Sequence, residues 1–191
     1  MNRGFTSQIR DSVLIIQFDR PEIRNPLSIS ILEHFPSALD NLDMGGIGTV
    51  IFTGQDGVFA SGADLREIAT ITAETAPEFA LRGQTLMTKI AELPQKTMAA
   101  INGYCFGGAL DLALACDRRI ASPSAKFAHP GAGLGIITGW GGTQRLPRLI
   151  GRGAALELFL TAEAVGAARA LEIGLIDEIA DDPLAFAIAE T

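Results

Sequence analysis

Apolar residues follow two different rhythms along this chain. Continuous apolar runs occupy 13–18 (VLIIQF), 49–53 (TVIFT) and 98–101 (MAAI). Runs of that length predict strands buried on both faces of a sheet. Residues 8–10 predict a partner for the first of them, turned at Asp11-Ser12, and 119–121, 126–128 and 175–179 predict three shorter strands. Elsewhere the apolar positions recur at helical spacing. Ile31, Leu32, Phe35 and Leu39 predict a helix from Ser28 or Ser30 to about Asp43, kinked or split at Pro36. Phe79, Leu86, Met87 and Ile90 predict a long helix over 77–93, opened by Pro77 and ended by Pro94. Further helices are predicted at 63–69, 143–150, 153–160, 162–173 and 183–190, with loops at 54–62 and over the glycine-rich 129–142. Strands alternating with helices predict an α/β fold of repeated βαβ or ββα units.

One stretch stands out, 99–117, AAINGYCFGGALDLALACD. An apolar strand breaks at Asn102-Gly103, passes Gly107-Gly108 and becomes a small-residue helix ending near Cys116. The first N–H groups of a helix have no internal acceptor and sit at the positive end of its dipole. Asp111 lies three residues after Gly108, on the same helical face. A backbone donor and a carboxylate are thereby expected at one cavity. The segment 59–64, FASGAD, offers a second donor, the Ala63 N–H, where a turn at Gly62 meets a helix. Taken singly, each stretch is also explained as an ordinary tight connection. Two such donors on one oxygen make an oxyanion hole.

Composition narrows the chemistry. The 191 residues carry a net charge of −7 and no basic run, which argues against a nucleic-acid partner. With 48% hydrophobic residues the chain has enough apolar surface for one packed domain. No apolar stretch is long enough for a membrane span, and the N-terminus has no apolar signal core, so a cytoplasmic protein is expected. Cys105 and Cys116 form no C-x-x-C pair and are expected to be reduced, buried thiols. His34 and His129 are far apart in sequence, and no metal site is expected. Gly131-x-Gly133-x-Gly135 lacks dinucleotide spacing, because position 138 is Thr, and no phosphate-loop lysine motif or nucleophile elbow occurs.

Five motifs in order then give a family resemblance: RPEIRNPLS at 20–28, VFASGADLREI at 58–68, the 99–117 stretch, GWGGTQRLPRLIG at 139–151 and TAEAVGAARALEIGLIDEI at 161–179. The chain resembles the crotonase, or enoyl-CoA hydratase/isomerase, superfamily. The resemblance implies a spiral of ββα units, with two roughly perpendicular sheets surrounded by helices. It implies an acyl-CoA thioester as ligand, with no separate cofactor, since coenzyme A enters as part of the substrate. It places oxyanion-hole donors at Ala63 and Gly108, and coenzyme A contacts at Arg24, Ala63, Leu65 and Arg66. It also implies a homo-oligomer, a trimer or a dimer of trimers, active in fatty acid metabolism.

The departures from the family pattern bear on the reaction. Family hydratases use two glutamates. The first falls at Asp111, whose shorter side chain withdraws the carboxylate by ~1.5 Å. The second falls at Gly131, which has no side chain. Dienoyl-CoA isomerases share an aspartate at the position of Asp111, but their proton-transfer carboxylates map onto Gly131 and Gly139. Asp111 is therefore the main acid/base candidate, with His129 and Glu67 as candidates for a second proton-transfer group. The expected domain is 1–191, without the further C-terminal helices usual in the family. The expectation is an enzyme of hydratase/isomerase type. The alternatives are a weak or inactive coenzyme A binder, or a decarboxylase or thioesterase variant.

Overall fold

The computed structural model describes residues 4–41 and 45–191. The chain opens with β1 (Phe5–Arg10) and β2 (Val13–Phe18), an antiparallel hairpin in register from Phe5↔Phe18 to Arg10↔Val13. Asp11 takes the left-handed conformation that a two-residue hairpin turn requires. A 3-10 turn at Pro21–Ile23 leads to β3 (Pro26–Leu27) and α1 (Ile29–Asn41). Next come β4 (Thr49–Thr53), β5 (Val58–Ala60), β6 (Gly62–Ala63), α2 (Leu65–Ile68) and α3 (Ala76–Ala91). The third stretch holds β7 (Lys96–Ile101), β8 (Tyr104–Phe106), α4 (Gly108–Ala115), β9 (Arg118–Ala121) and β10 (Lys126–Ala128). After a 3-10 segment at Pro130–Leu134 follow α5 (Gly142–Ile150), α6 (Arg152–Thr161), β11 (Val165–Gly166), α7 (Ala167–Glu172), β12 (Glu178–Ile179) and α8 (Pro183–Ala189).

Successive strand pairs are divided between two sheets. β4, β7 and β9 enter a six-stranded sheet of order β1-β2-β4-β7-β9-β12, while β5, β8 and β10 enter a four-stranded sheet of order β11-β10-β8-β5. From β2 onward every neighbour in the large sheet is parallel. Each unit thus advances both sheets by one strand, which is the expected ββα spiral. The corners between sheets are tight. A Cβ on Gly103, between β7 and β8, would lie 1.7 Å from the Gly57 carbonyl oxygen of the previous unit.

The large sheet is covered on both faces, as its unbroken apolar strands require. On one side Phe18, Phe35, Phe52 and Phe59 meet edge to face at centroid separations of 5.7–6.3 Å. On the other, Ile15, Ile51, Met98 and Ile120 pack beneath Ala187 of α8.

The predicted loop 54–62 contains β5 and the first residue of β6, and β8 interrupts the predicted passage from strand to helix. Strands of two or three residues show no alternation in the sequence, and partners from other units define them. β3 and β6 form a third, two-stranded sheet. The helix predicted at 63–69 is shortened to α2, because Asp64 caps it and accepts from the Arg66 N–H at 2.9 Å. The helix predicted at 162–173 begins only at Ala167, the preceding residues pairing with β10. Pro36 does not split α1. The missing N–H removes one hydrogen bond, and buried Ile31, Leu32, Phe35 and Leu39 hold the helix in the core. The predicted end of this helix near Asp43 lies outside the described residues. Among the described residues no helix is long and apolar enough to cross a membrane.

Candidate active site

The site begins with Asn25, which is buried and has a left-handed backbone. Its side-chain amide donates to the carbonyls of Val58 and Phe59 at 3.0 and 3.2 Å, and the Ser61 N–H donates to the Arg24 carbonyl at 3.0 Å. These bonds tie the Arg24 loop to β5 and β6. Gly62 then brings β6 against α4. Its φ is +86°, and a Cβ there would stand 2.8 Å from the Gly108 nitrogen. Only glycine tolerates that combination of conformation and approach. As a result Ala63 and Gly108 line one cavity. Gly108 opens α4, so its N–H has no acceptor within the helix.

Trp140 fixes the other side of Gly108. A Cβ on Gly108 would lie 2.1 Å from Trp140 Cζ3, and one on Gly83 of α3 would lie 2.2 Å from Trp140 Cγ. Two glycines on two helices therefore form the slot for a single indole, which also meets Phe79 at a centroid distance of 5.5 Å. Phe79, Ile68, Leu134, Ile136 and Ile137 supply an apolar lining to the same cavity.

Asp111 is fully buried, and among the described residues it does not line the cavity. The predicted shared cavity thus holds for Gly108 and not for the carboxylate itself. Thr138 Oγ1 donates to Asp111 Oδ2, and His129 Nε2 lies 3.6 Å from Oδ1. Both Thr138 and His129 line the cavity. Gly142 leaves room for the carboxylate, since a Cβ there would stand 2.0 Å from Oδ1. Burial pushes the Asp111 carboxyl up to about 7, opposed by the Thr138 hydrogen bond and the charge of Arg145. Burial also takes His129 down to about 4, which keeps its ring neutral.

The remaining candidates divide. Glu67 is held elsewhere, its Oε2 accepting from the Ile29 N–H at 2.7 Å at the start of α1, and it does not line the cavity among the described residues. Gly131 does line it, and a Cβ there would be 2.5 Å from the Ile136 carbonyl oxygen. The loop is folded around the missing side chain, with the Ile136 N–H donating to Gly131 O at 3.0 Å. Gly139 also lines the cavity. A second cavity collects Arg24, Ala63, Leu65 and Arg66, and shares Ser61, Ala63, Leu65, Pro130 and Leu134 with the first. Arg66 is 74% exposed in its side chain and grips Asp64 at 2.6 Å, which lowers the Asp64 carboxyl.

Sequence reasoning missed Thr138, Trp140 and the role of Asn25. A signal for Thr138 existed, because it is the one polar side chain between Pro130 and Gly139. None existed for the Trp140 slot, whose two glycines lie on different helices.

The enoyl-CoA hydratase/isomerase family model matches residues 8–185. The chain is 37% identical over 171 residues to a crotonyl-CoA hydratase of Syntrophomonas wolfei, covering 88% of this chain and 66% of that protein. It is 42% identical over 160 residues to a probable enoyl-CoA hydratase of Bacillus subtilis, covering 83% and 62%. The chain thus spans just under two thirds of the length of these curated relatives. The crystal structure of an enoyl-CoA hydratase from Bacillus anthracis superposes with a TM-score of 0.91 at 38% identity, covering 98% of this chain and 75% of that one. With the ββα spiral and the five ordered motifs, these matches make the chain a member of the enoyl-CoA hydratase/isomerase family, within the crotonase superfamily.

Proposed function

We propose that the protein binds an acyl-CoA thioester and performs hydratase/isomerase-type chemistry through a thioester enolate. In this reading the thioester carbonyl oxygen accepts from the Ala63 and Gly108 N–H groups. Charge that builds on that oxygen as a Cα proton leaves is stabilised by donors already in place. Asp111 supplies the acid/base function. The acyl chain lies along Phe79, Ile136 and Ile137, and the nucleotide end of coenzyme A follows the second cavity, where Arg24 and Arg66 suit its phosphates. The observation that carries the reading is the single cavity lined by both Ala63 and Gly108. No separate cofactor is invoked. Exposed Leu149, Leu156 and Leu160 on α5 and α6 support the homo-oligomer in this reading, as an apolar face for a second copy.

The test is loss of enoyl-thioester absorbance on mixing crotonyl-CoA with the protein, beside calorimetric binding. Binding with turnover that Asp111→Ala abolishes supports the proposal. Turnover unchanged by that substitution contradicts the role of Asp111. Gly131 favours a second reading, a coenzyme A binder with little chemistry, which predicts binding without turnover.

A further inference from the structure

Each oxygen of Asp111 faces a different cavity-lining side chain. Thr138 Oγ1 donates to Oδ2, while His129 Nε2 stands 3.6 Å from Oδ1, beyond hydrogen-bond length. Oδ1 and both ring nitrogens of His129 have no hydrogen-bond partner among the described residues. His129 is only 3% exposed. Buried polar atoms are nearly always paired, and exceptions gather where chemistry is done. Here three unpaired atoms adjoin a cavity that already contains two backbone donors.

We propose that Thr138 and Asp111 form a proton relay, with His129 as a positioning residue beside Oδ1, in which Asp111 acts on the acyl chain through the cavity-lining Thr138 hydroxyl. The relay rests on the acyl-CoA reading above and names the group that touches the substrate. The step balances without any co-reactant. The Cα–H bond breaks, and its electron pair moves toward the carbonyl oxygen to give the enolate. The proton passes to Thr138 Oγ1 as the hydroxyl's own proton moves to Asp111 Oδ2. Neutral His129 faces Oδ1 and takes no proton in this step, and return of the proton from Oδ2 through Thr138 to carbon restores every group. The relay explains how a carboxylate hidden from the cavity can serve it. It also gives Thr138 a proton-transfer task on the same cavity that Gly131, with no side chain, lines.

The groups facing Asp111 are Thr138, His129 just after β10, Arg145 of α5, the Trp140 N–H and the Cys105 thiol of β8. Burial keeps that thiol protonated. Removing the Thr138 hydroxyl removes a bond that favours the carboxylate, so the carboxyl titrates higher.

The experiment is deuterium exchange at the α-carbon of butyryl-CoA in D2O, followed by NMR across about pH 5 to 9, beside calorimetric binding of butyryl-CoA. Thr138→Val is expected to slow exchange at least ~10-fold with binding within ~3-fold of wild type, and to move the rising limb of the pH profile upward. Thr138→Ser is expected to stay within ~3-fold of wild type with the limb unmoved, and His129→Asn to slow exchange ~10-fold. Thr138→Val exchanging at the wild-type rate with an unmoved limb overturns the relay, and so does Thr138→Ser as slow as Thr138→Val. Wild-type protein that binds without exchanging also overturns it. Wild-type protein that does not bind butyryl-CoA overturns the acyl-CoA reading, and the relay with it.

Discussion

Two walls of the same cavity are built by different means. One is backbone: β6 pressed on α4 through Gly62, with Gly108 clamped beneath Trp140. Its proposed working groups are amides fixed by the fold, and a Cβ added at Gly62 or Gly108 meets a neighbour. The other wall is side chain: Thr138 on a loop and His129 just after β10, each facing a different oxygen of a carboxylate behind them. Its proposed working groups are single side chains, and the Ile136 carbonyl closes on the space a Cβ at Gly131 would take. The first wall brings Ala63 and Gly108, where the family resemblance implied donors, to one cavity. The second has no side chain at Gly131, where the family resemblance implied a carboxylate. Preorganised amides depend on many close contacts at once, whereas proton-transfer groups need only reach the same space.

Breaking the backbone wall is expected to have the largest effect. Trp140→Ala empties a nearly fully buried site and is expected to cost about 3–5 kcal/mol in urea unfolding, with exchange lost as Gly108 loses its backing. A cost below about 1 kcal/mol would contradict the slot.

The side-chain wall is expected to show itself in the pH dependence of stability. Burial raises Asp111 from 3.8 to about 7, so its ionisation opposes folding as pH rises through about 7. His129 has the opposite sign. Burial lowers it from 6.5 to about 4, so the stability it gives above 6.5 is lost as pH falls toward 4. Asp111→Asn is therefore expected to gain on wild type between pH 4 and 7, by on the order of 4 kcal/mol. His129→Gln is expected to gain on wild type in the other direction, as pH falls from 6.5 to 4. Chemical denaturation of the three proteins at several pH values measures both slopes, and parallel curves would contradict the assigned burial.

The two walls also answer differently to added bulk. Gly108→Ala drives a Cβ toward Trp140 and is expected to cost about 1–3 kcal/mol and about 100-fold in α-proton exchange. Gly131→Glu restores a carboxylate at the expected position. It forces a Cβ to 2.5 Å from the Ile136 carbonyl, so it is expected to cost about 1–3 kcal/mol without raising crotonyl-CoA hydration. A hydration gain with unchanged stability would show that only the side chain separates this chain from a two-glutamate site. The smallest effect is expected from Arg66→Ala, which leaves unfolding unchanged and weakens coenzyme A binding about 3-fold in a salt-dependent way.

Much of this was legible in the sequence. VLIIQF and TVIFT are long enough to declare buried strands by pattern alone, and two glycine turns pointed to the cavity that Ala63 and Gly108 share. Tyr104–Phe106 and Val58–Ala60 were not legible as strands, since three residues carry no period and their partners come from other ββα units. In the site, Asp111 and its shorter reach were legible by residue type and spacing, but its complete exclusion from the cavity was not. That depends on Gly142 and Thr138, far along the chain, leaving and filling space around one carboxylate. Glu67 matched the required residue type, yet its carboxylate is occupied at the start of α1.

The most direct measurement is the thioester carbonyl stretch of carbonyl-13C crotonyl-CoA bound to the protein, taken by infrared difference spectroscopy. Two backbone donors on one oxygen lower that frequency relative to the free thioester, and Gly108→Ala moves it back toward the free value. A bound carbonyl at the free frequency, unaltered by Gly108→Ala, would contradict the convergence of Ala63 and Gly108 on a reacting oxygen.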